Sequence, residues 1–138
     1  MARLLITGST GYIGCVLVDL ARAGGQDVLE LNRSSGWRIG APLPPAIFDN
    51  VDAIIYLAHS WAIEKDKPEE LNPIIKDIVS FAEAAVSAGV SRFVFASSTS
   101  SRPDALNVYG RTKFRIEEQL SCSAAAASVR IARIGLVY

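Results

Sequence analysis

The chain has 138 residues, half of them hydrophobic and 20% charged, with 14 basic and 14 acidic side chains. That is one domain's worth of protein, too apolar for intrinsic disorder and, at zero net charge, without the basic excess that nucleic-acid or anionic-membrane binders use. No apolar run approaches the ~20 residues that cross a bilayer, and the two cysteines, Cys15 and Cys122, lie far apart and outside any metal-ligand spacing, against a disulfide framework or structural zinc.

In chain order, Arg3–Thr7 reads as a buried strand running into glycines, and Gly8 cuts it too short for a signal peptide's apolar core. Tyr12–Ala23 has the helical period, with Ile13, Val16, Leu17 and Leu20 apolar and Gly24-Gly25 ending it. Residues 28–32 form a second strand; 34–50 is a loop rich in Gly and Pro, with one short strand expected near 37–40. Residues 53–58 (A-I-I-Y-L-A) are a buried strand, and 69–88 carries the longest helical pattern, with Ile74, Ile75, Ile78, Phe81, Ala82 and Ala85 on one side. Residues 92–97 (R-F-V-F-A-S) make another strand, Val108–Cys122 a helix with Phe114, Ile116 and Leu120 apolar, and 128–138 a final strand. Near-continuous apolar strands alternating with helices predict a doubly wound, mostly parallel α/β sheet with helices on both faces. The expectation is a single soluble, cytoplasmic domain spanning 1–138.

The first strand ends in Thr7-Gly8-Ser9-Thr10-Gly11-Tyr12-Ile13-Gly14. Glycines three apart at a strand-to-helix turn let Gly8 make the turn, Gly11 admit a pyrophosphate to the main chain, and Gly14 seat the helix on the strand. The amides and positive dipole end of the following helix then face the phosphates. Thr7, Gly8, Thr10, Gly11, Tyr12, Ile13 and Gly14 are therefore candidate dinucleotide contacts. The spacing is G-x-x-G-x-x-G.

With L-L-I-T-G-S-T-G-Y-I-G at 4–14, V-D-A-I-I-Y-L-A at 51–58, G-V-S-R-F-V-F-A-S-S at 89–98, V-Y-G-R-T-K at 108–113 and R-I-G-L-V-Y at 133–138, the chain resembles the extended short-chain dehydrogenase/reductase superfamily, the NAD-dependent epimerases and dehydratases. The resemblance implies a Rossmann-like fold and a nucleotide-sugar epimerase, dehydratase or reductase. In such enzymes hydride moves between substrate carbon and nicotinamide. It also implies that R-I-G-L-V-Y leads into a substrate domain that this chain does not include, and that the helices at 69–88 and Val108–Cys122 build a homodimer interface.

Tyr109 and Lys113 stand four apart on one helix face. A neighbouring ammonium favours the phenolate and brings a phenol of pKa near 10 toward general acid–base use. The alternative is a surface pair on an amphipathic helix. By resemblance Tyr109 is the catalytic acid/base, Lys113 also binds the nicotinamide ribose, and Ser98 is the hydroxyl that positions the substrate oxygen. Ser97 and Thr99 compete for that last role. Tyr109 follows Ser98 by eleven positions, where the sugar-nucleotide epimerases carry a longer loop.

The residue ending the second strand reads the adenosine ribose. Asn32 carries no charge to repel a 2′-phosphate and Arg33 could clamp one, which favours NADP over NAD; Arg33 facing solvent is the competing reading. Leu57, Ala58 and His59, at the end of the third strand, complete the cofactor candidates, with His59 a cleft-lining residue. Trp37 and Trp61 are read as packing residues, Cys15 as inert on a core-facing helix, and Glu117 and Glu118 as the exposed face of the last helix. A non-catalytic NADP(H)-binding or sensing module is the alternative function.

Overall fold

The computed structural model describes residues 1–60 and 73–135. Five strands, β1 (Arg3–Thr7), β2 (Asp27–Leu31), β3 (Ala53–Tyr56), β4 (Arg92–Ser98) and β5 (Val129–Ile134), alternate with three helices, α1 (Tyr12–Ala23), α2 (Pro73–Ser87) and α3 (Val108–Cys122). All strand pairs are parallel, in the order β2-β1-β3-β4-β5, with Leu4 opposite Ala53 and Thr7 opposite Tyr56. This is the Rossmann-like sheet that the strand–helix alternation predicts. The chain moves one way from β1 to β2 and the other way from β3 onward. Right-handed crossovers therefore place α1 on one face and α2 and α3 on the other.

The core lies under α2 and α3. Leu5, Ile54, Tyr56, Phe93 and Phe95 project from the strands onto Ile74, Ile78 and Phe81 of α2 and Ile116 and Leu120 of α3. Phe81 is its hub, with edge-on ring contacts to Phe48 at 5.4 Å, Tyr56 at 5.1 Å and Trp37 at 5.8 Å. Trp37, 4% exposed, is thereby a core residue, and it pins the long 36–50 connection to the sheet. Among the described residues α2 begins at Pro73; Trp61, and the 69–72 start expected for its helix, lie outside them.

Several expectations are corrected. No strand forms near 37–40; a short 3₁₀ turn, Arg33–Ser35, ends at Gly36 and the segment beyond is turn. α1 buries Gly14 and Val18, while Val16 and Leu20 are 55% and 65% exposed, because the helix rests on its glycine side and two apolar stripes compete for one contact. Cys15 is accordingly exposed rather than core-facing. Among the described residues β5 spans Val129–Ile134, the last three positions of the expected strand, 136–138, lying outside them; it is mostly exposed from Arg130 to Arg133, since it pairs only with β4. Glu117 is 7% exposed, not on the solvent face, because β5 brings Arg133 to it.

Candidate functional site

The chain reverses its direction of crossover between β1 and β3, and open α/β sheets place ligands beyond the carboxyl ends of the strands at such a point. The glycine turn and Leu57–His59 both lie there. Gly8 adopts φ +68°, and a Cβ on it would come within 2.8 Å of the Ala58 backbone nitrogen. A Cβ on Gly14 would collide with the Gly8 carbonyl oxygen. Only glycine lets β1, the turn and α1 close so tightly. Gly11 caps α1 without a side-chain hydrogen bond, so the first-turn amides are left to whatever the cleft receives.

That cleft, about 320 Å³, is lined by Gly8, Gly11, Tyr12, Ile13 and Gly14 from the turn, Leu57 and His59 after β3, Ala96, Ser97 and Ser98 from β4, Tyr109 and Lys113 from α3, and Ile134 and Gly135. Elements distant in sequence thus bring Ser98, Tyr109 and Lys113 together with the glycine turn. Sequence reasoning missed Ala96, Ile134 and Gly135, whose only signal is their position at strand ends. A second cleft of about 250 Å³ adjoins at His59 and is lined by Asn32, Arg33, Trp37, Arg38, Ile39, Ala58 and Ser60. Thr7 is fully buried, its hydroxyl accepting from the Leu57 and Ala58 amides at 3.1 and 3.2 Å, and braces β1 against β3 instead of lining either cleft. Thr10 is exposed beside the turn.

Asn32 uses its side chain locally: Nδ2 donates to Ser9 Oγ at 2.7 Å and Oδ1 accepts from the Ser35 amide at 2.9 Å. This fixes the bend from which Arg33 and Arg38 reach the second cleft.

Within the first cleft, Lys113 is 3% exposed and donates from Nζ to the Ala96 carbonyl at 3.0 Å. Its Nζ lies 5.5 Å from the Tyr109 ring centre and 4.8 Å from that of Phe95. Burial pulls the ammonium down to about 8, with Glu117 pushing it back up. The Tyr109 phenol corrects the expectation of a lowered pKa. Burial pushes it up, and a hydrogen bond with Ser98 only partly opposes this. Ser98 Oγ also lies 2.8 Å from Ser100 Oγ. His59 packs edge-on against Tyr109, ring centres 4.9 Å apart, and burial followed by the Lys113 charge lowers it to about 4. At neutral pH the imidazole is uncharged and the ammonium is the positive group beside the phenol.

Residues 4–138 match the model of the NAD dependent epimerase/dehydratase family. A dTDP-4-dehydrorhamnose reductase of Mycolicibacterium smegmatis is 30% identical, covering 99% of this chain and 46% of that protein. A UDP-glucose 4-epimerase of Rhizobium leguminosarum is also 30% identical, covering 86% of this chain and 46% of its own length. Among solved structures, a short-chain dehydrogenase/reductase superfamily protein from Agrobacterium tumefaciens with bound NAD has 27% identity and a TM-score of 0.66, over 95% of this chain and 48% of that one. A UDP-glucuronic acid 4-epimerase from Bacillus cereus, 17% identical, shares the fold with a TM-score of 0.78 over 99% of this chain and 57% of that one. The chain spans about half the length of the curated relatives it matches.

Proposed function

The chain belongs to the NAD dependent epimerase/dehydratase family, and on that premise we propose that it is the cofactor-binding portion of an oxidoreductase acting on a nucleotide sugar or related carbonyl, with Tyr109 as the group that moves the substrate proton. The carrying observation is the convergence of Ser98, Tyr109 and Lys113 on the one cleft walled by the glycine turn. The cradle fits a dinucleotide: Gly8 and Gly14 let the turn close tightly between β3 and α1, where a Cβ would strike backbone, and the uncapped first-turn amides suit a diphosphate. A nicotinamide bound there supplies hydride exchange. The chain's own groups do the rest. Lys113 holds positive charge beside the phenol and offers its remaining N–H donors to a ribose; Ser98 orients an alcohol or carbonyl oxygen; Tyr109 gives or takes the proton at that oxygen.

Arg33 and Arg38, in the adjoining cleft, support a preference for NADP over NAD, since a guanidinium fork suits a 2′-phosphate. Calorimetric titration with NADPH and NADH tests both points: both nucleotides bind, NADPH tighter, and Arg33→Ala narrows the difference. No affinity for either at millimolar concentration overturns the reading. In the full-length enzyme, Tyr109→Phe abolishes turnover while leaving nucleotide affinity within a few fold; a mutant with full turnover removes Tyr109 from the chemistry. The second reading, a nucleotide-sensing module without turnover, draws on the raised phenol and the short connection from Ser98 to Tyr109. A hydride-exchange assay with nucleotide and a sugar-nucleotide substrate separates the two.

A further inference from the structure

Tyr109, Lys113 and Glu117 follow one another at four-residue steps along α3, which puts all three on one face. Lys113 and Glu117 are both buried, and the carboxylate's ion-pair partner comes from the sheet: Arg133 of β5 donates from Nε to Glu117 Oε1 at 3.0 Å and from Nη2 to Oε2 at 2.7 Å. The Arg133 side chain is itself 52% exposed. The order is therefore a solvated guanidinium, a buried carboxylate, a buried ammonium and a phenol.

We propose that Glu117, held by Arg133, is a positioning residue that keeps the Lys113 ammonium charged beside Tyr109. The proposal rests on the reading of Lys113 as the charge that serves the phenol. A buried ammonium whose polar partner is one carbonyl oxygen tends to give up its proton. Glu117 supplies the opposing negative charge one turn away, and it must itself stay ionised to do so. The bidentate Arg133 fork fixes where that charge sits and lowers the carboxyl further, without being the one thing that keeps it charged near pH 8. Burial pushes the Glu117 carboxyl up, but the Arg133 hydrogen bonds and charge bring it below the ordinary range. Among the described residues, the titratable or charged groups facing Lys113 are Tyr109 and Glu117 on α3, Arg133 on β5 and the neutral His59 after β3; β4 presents the Ala96 carbonyl, serine hydroxyls and the Phe95 ring, none of them charged. Glu117 is the sole negative charge of this set, and Arg133 repels Lys113 while orienting the Glu117 carboxylate.

The chain contains four lysines, so Lys113 can be followed individually by ¹³Cε NMR titration of the native chain, Glu117→Gln and Arg133→Gln. We expect a native midpoint near 8. Glu117→Gln lowers it by roughly one pH unit, and Arg133→Gln raises it, because a repelling cation is lost while the carboxylate, opened to solvent where the half-exposed Arg133 side chain covered it, stays ionised near pH 8. Both variants break the same ion pair, so a merely structural brace moves Lys113 the same way in both or in neither. Either of those results overturns the proposal. Should Glu117→Gln not fold, an unchanged or lowered midpoint in Arg133→Gln overturns it alone. Titrating the same samples with NADH keeps the two readings apart: opposed midpoints without nucleotide binding sink the proposed function only, and nucleotide binding with unmoved midpoints sinks only the role of Glu117.

Discussion

Lys113 carries a cost that can be read against pH. Its folded pKa, about 8, lies below the ordinary 10.5. Below pH 8 both folded and unfolded chains hold the proton and the full penalty is present; between 8 and 10.5 only the unfolded chain holds it, so stability rises with pH across that window. The interval corresponds to about 3 kcal/mol. Lys113→Met is therefore expected to raise the unfolding free energy at pH 7 by roughly 1–3 kcal/mol while weakening nucleotide binding, and to abolish the alkaline rise. Urea denaturation at pH 7, 8, 9 and 10 checks this; a mutant less stable than native at pH 7 contradicts it. At this scale the sequence is informative where the partner is local. Tyr109 and Lys113 are legible because four helical positions share a face whatever surrounds them. Glu117 is not, because the group that makes its burial tolerable lies on β5, sixteen positions further on, and only strand order brings it there.

Elements were legible to within a residue or so when they carried one strong pattern. α1 and α3 span the ranges their periodicity predicts, and β4 exceeds its expectation by Ser98 alone. What periodicity could not say is which side of α1 faces the sheet. Tyr12, Val16 and Leu20 form one apolar row at four-residue spacing and end up exposed, whereas Gly14 and Val18 are buried. The decision lies in close approach rather than hydrophobicity: the turn can come under the helix only where no Cβ intervenes. This makes Gly14 the test position. Gly14→Ala drives a methyl group into the Gly8 carbonyl, and the helix must shift away from the turn. We expect a loss of roughly 1–3 kcal/mol of stability and a fall in NADPH affinity of at least tenfold, measured by thermal denaturation and calorimetry. Val16→Ala on the same helix, at an exposed site, serves as the control and leaves both nearly unchanged. Unaltered affinity in Gly14→Ala contradicts the packing account of the turn.

For the molecule as a whole, strand–helix alternation makes the parallel α/β class legible, because parallel neighbours require crossovers and crossovers here are helical. The unevenness of the sheet was not legible. β1, β3 and β4 are each hydrogen-bonded on both edges, whereas β2 and β5 pair on one edge only, and β5 is further exposed on its faces from Arg130 to Arg133. Local opening requires least where fewest buried contacts are lost. Native-state hydrogen exchange should therefore show β1, β3 and β4 amides opening near the global unfolding free energy and β5 amides opening well below it. The Arg133–Glu117 pair ties β5 to α3 by side chains as well as backbone, so Arg133→Gln should speed exchange in β5 selectively, leaving β1 and β3 as they were. Uniform protection across all five strands would instead mean that β5 unfolds only with the whole sheet. The cleft wall formed by Ile134 and Gly135 would then be as rigid as the glycine turn opposite it.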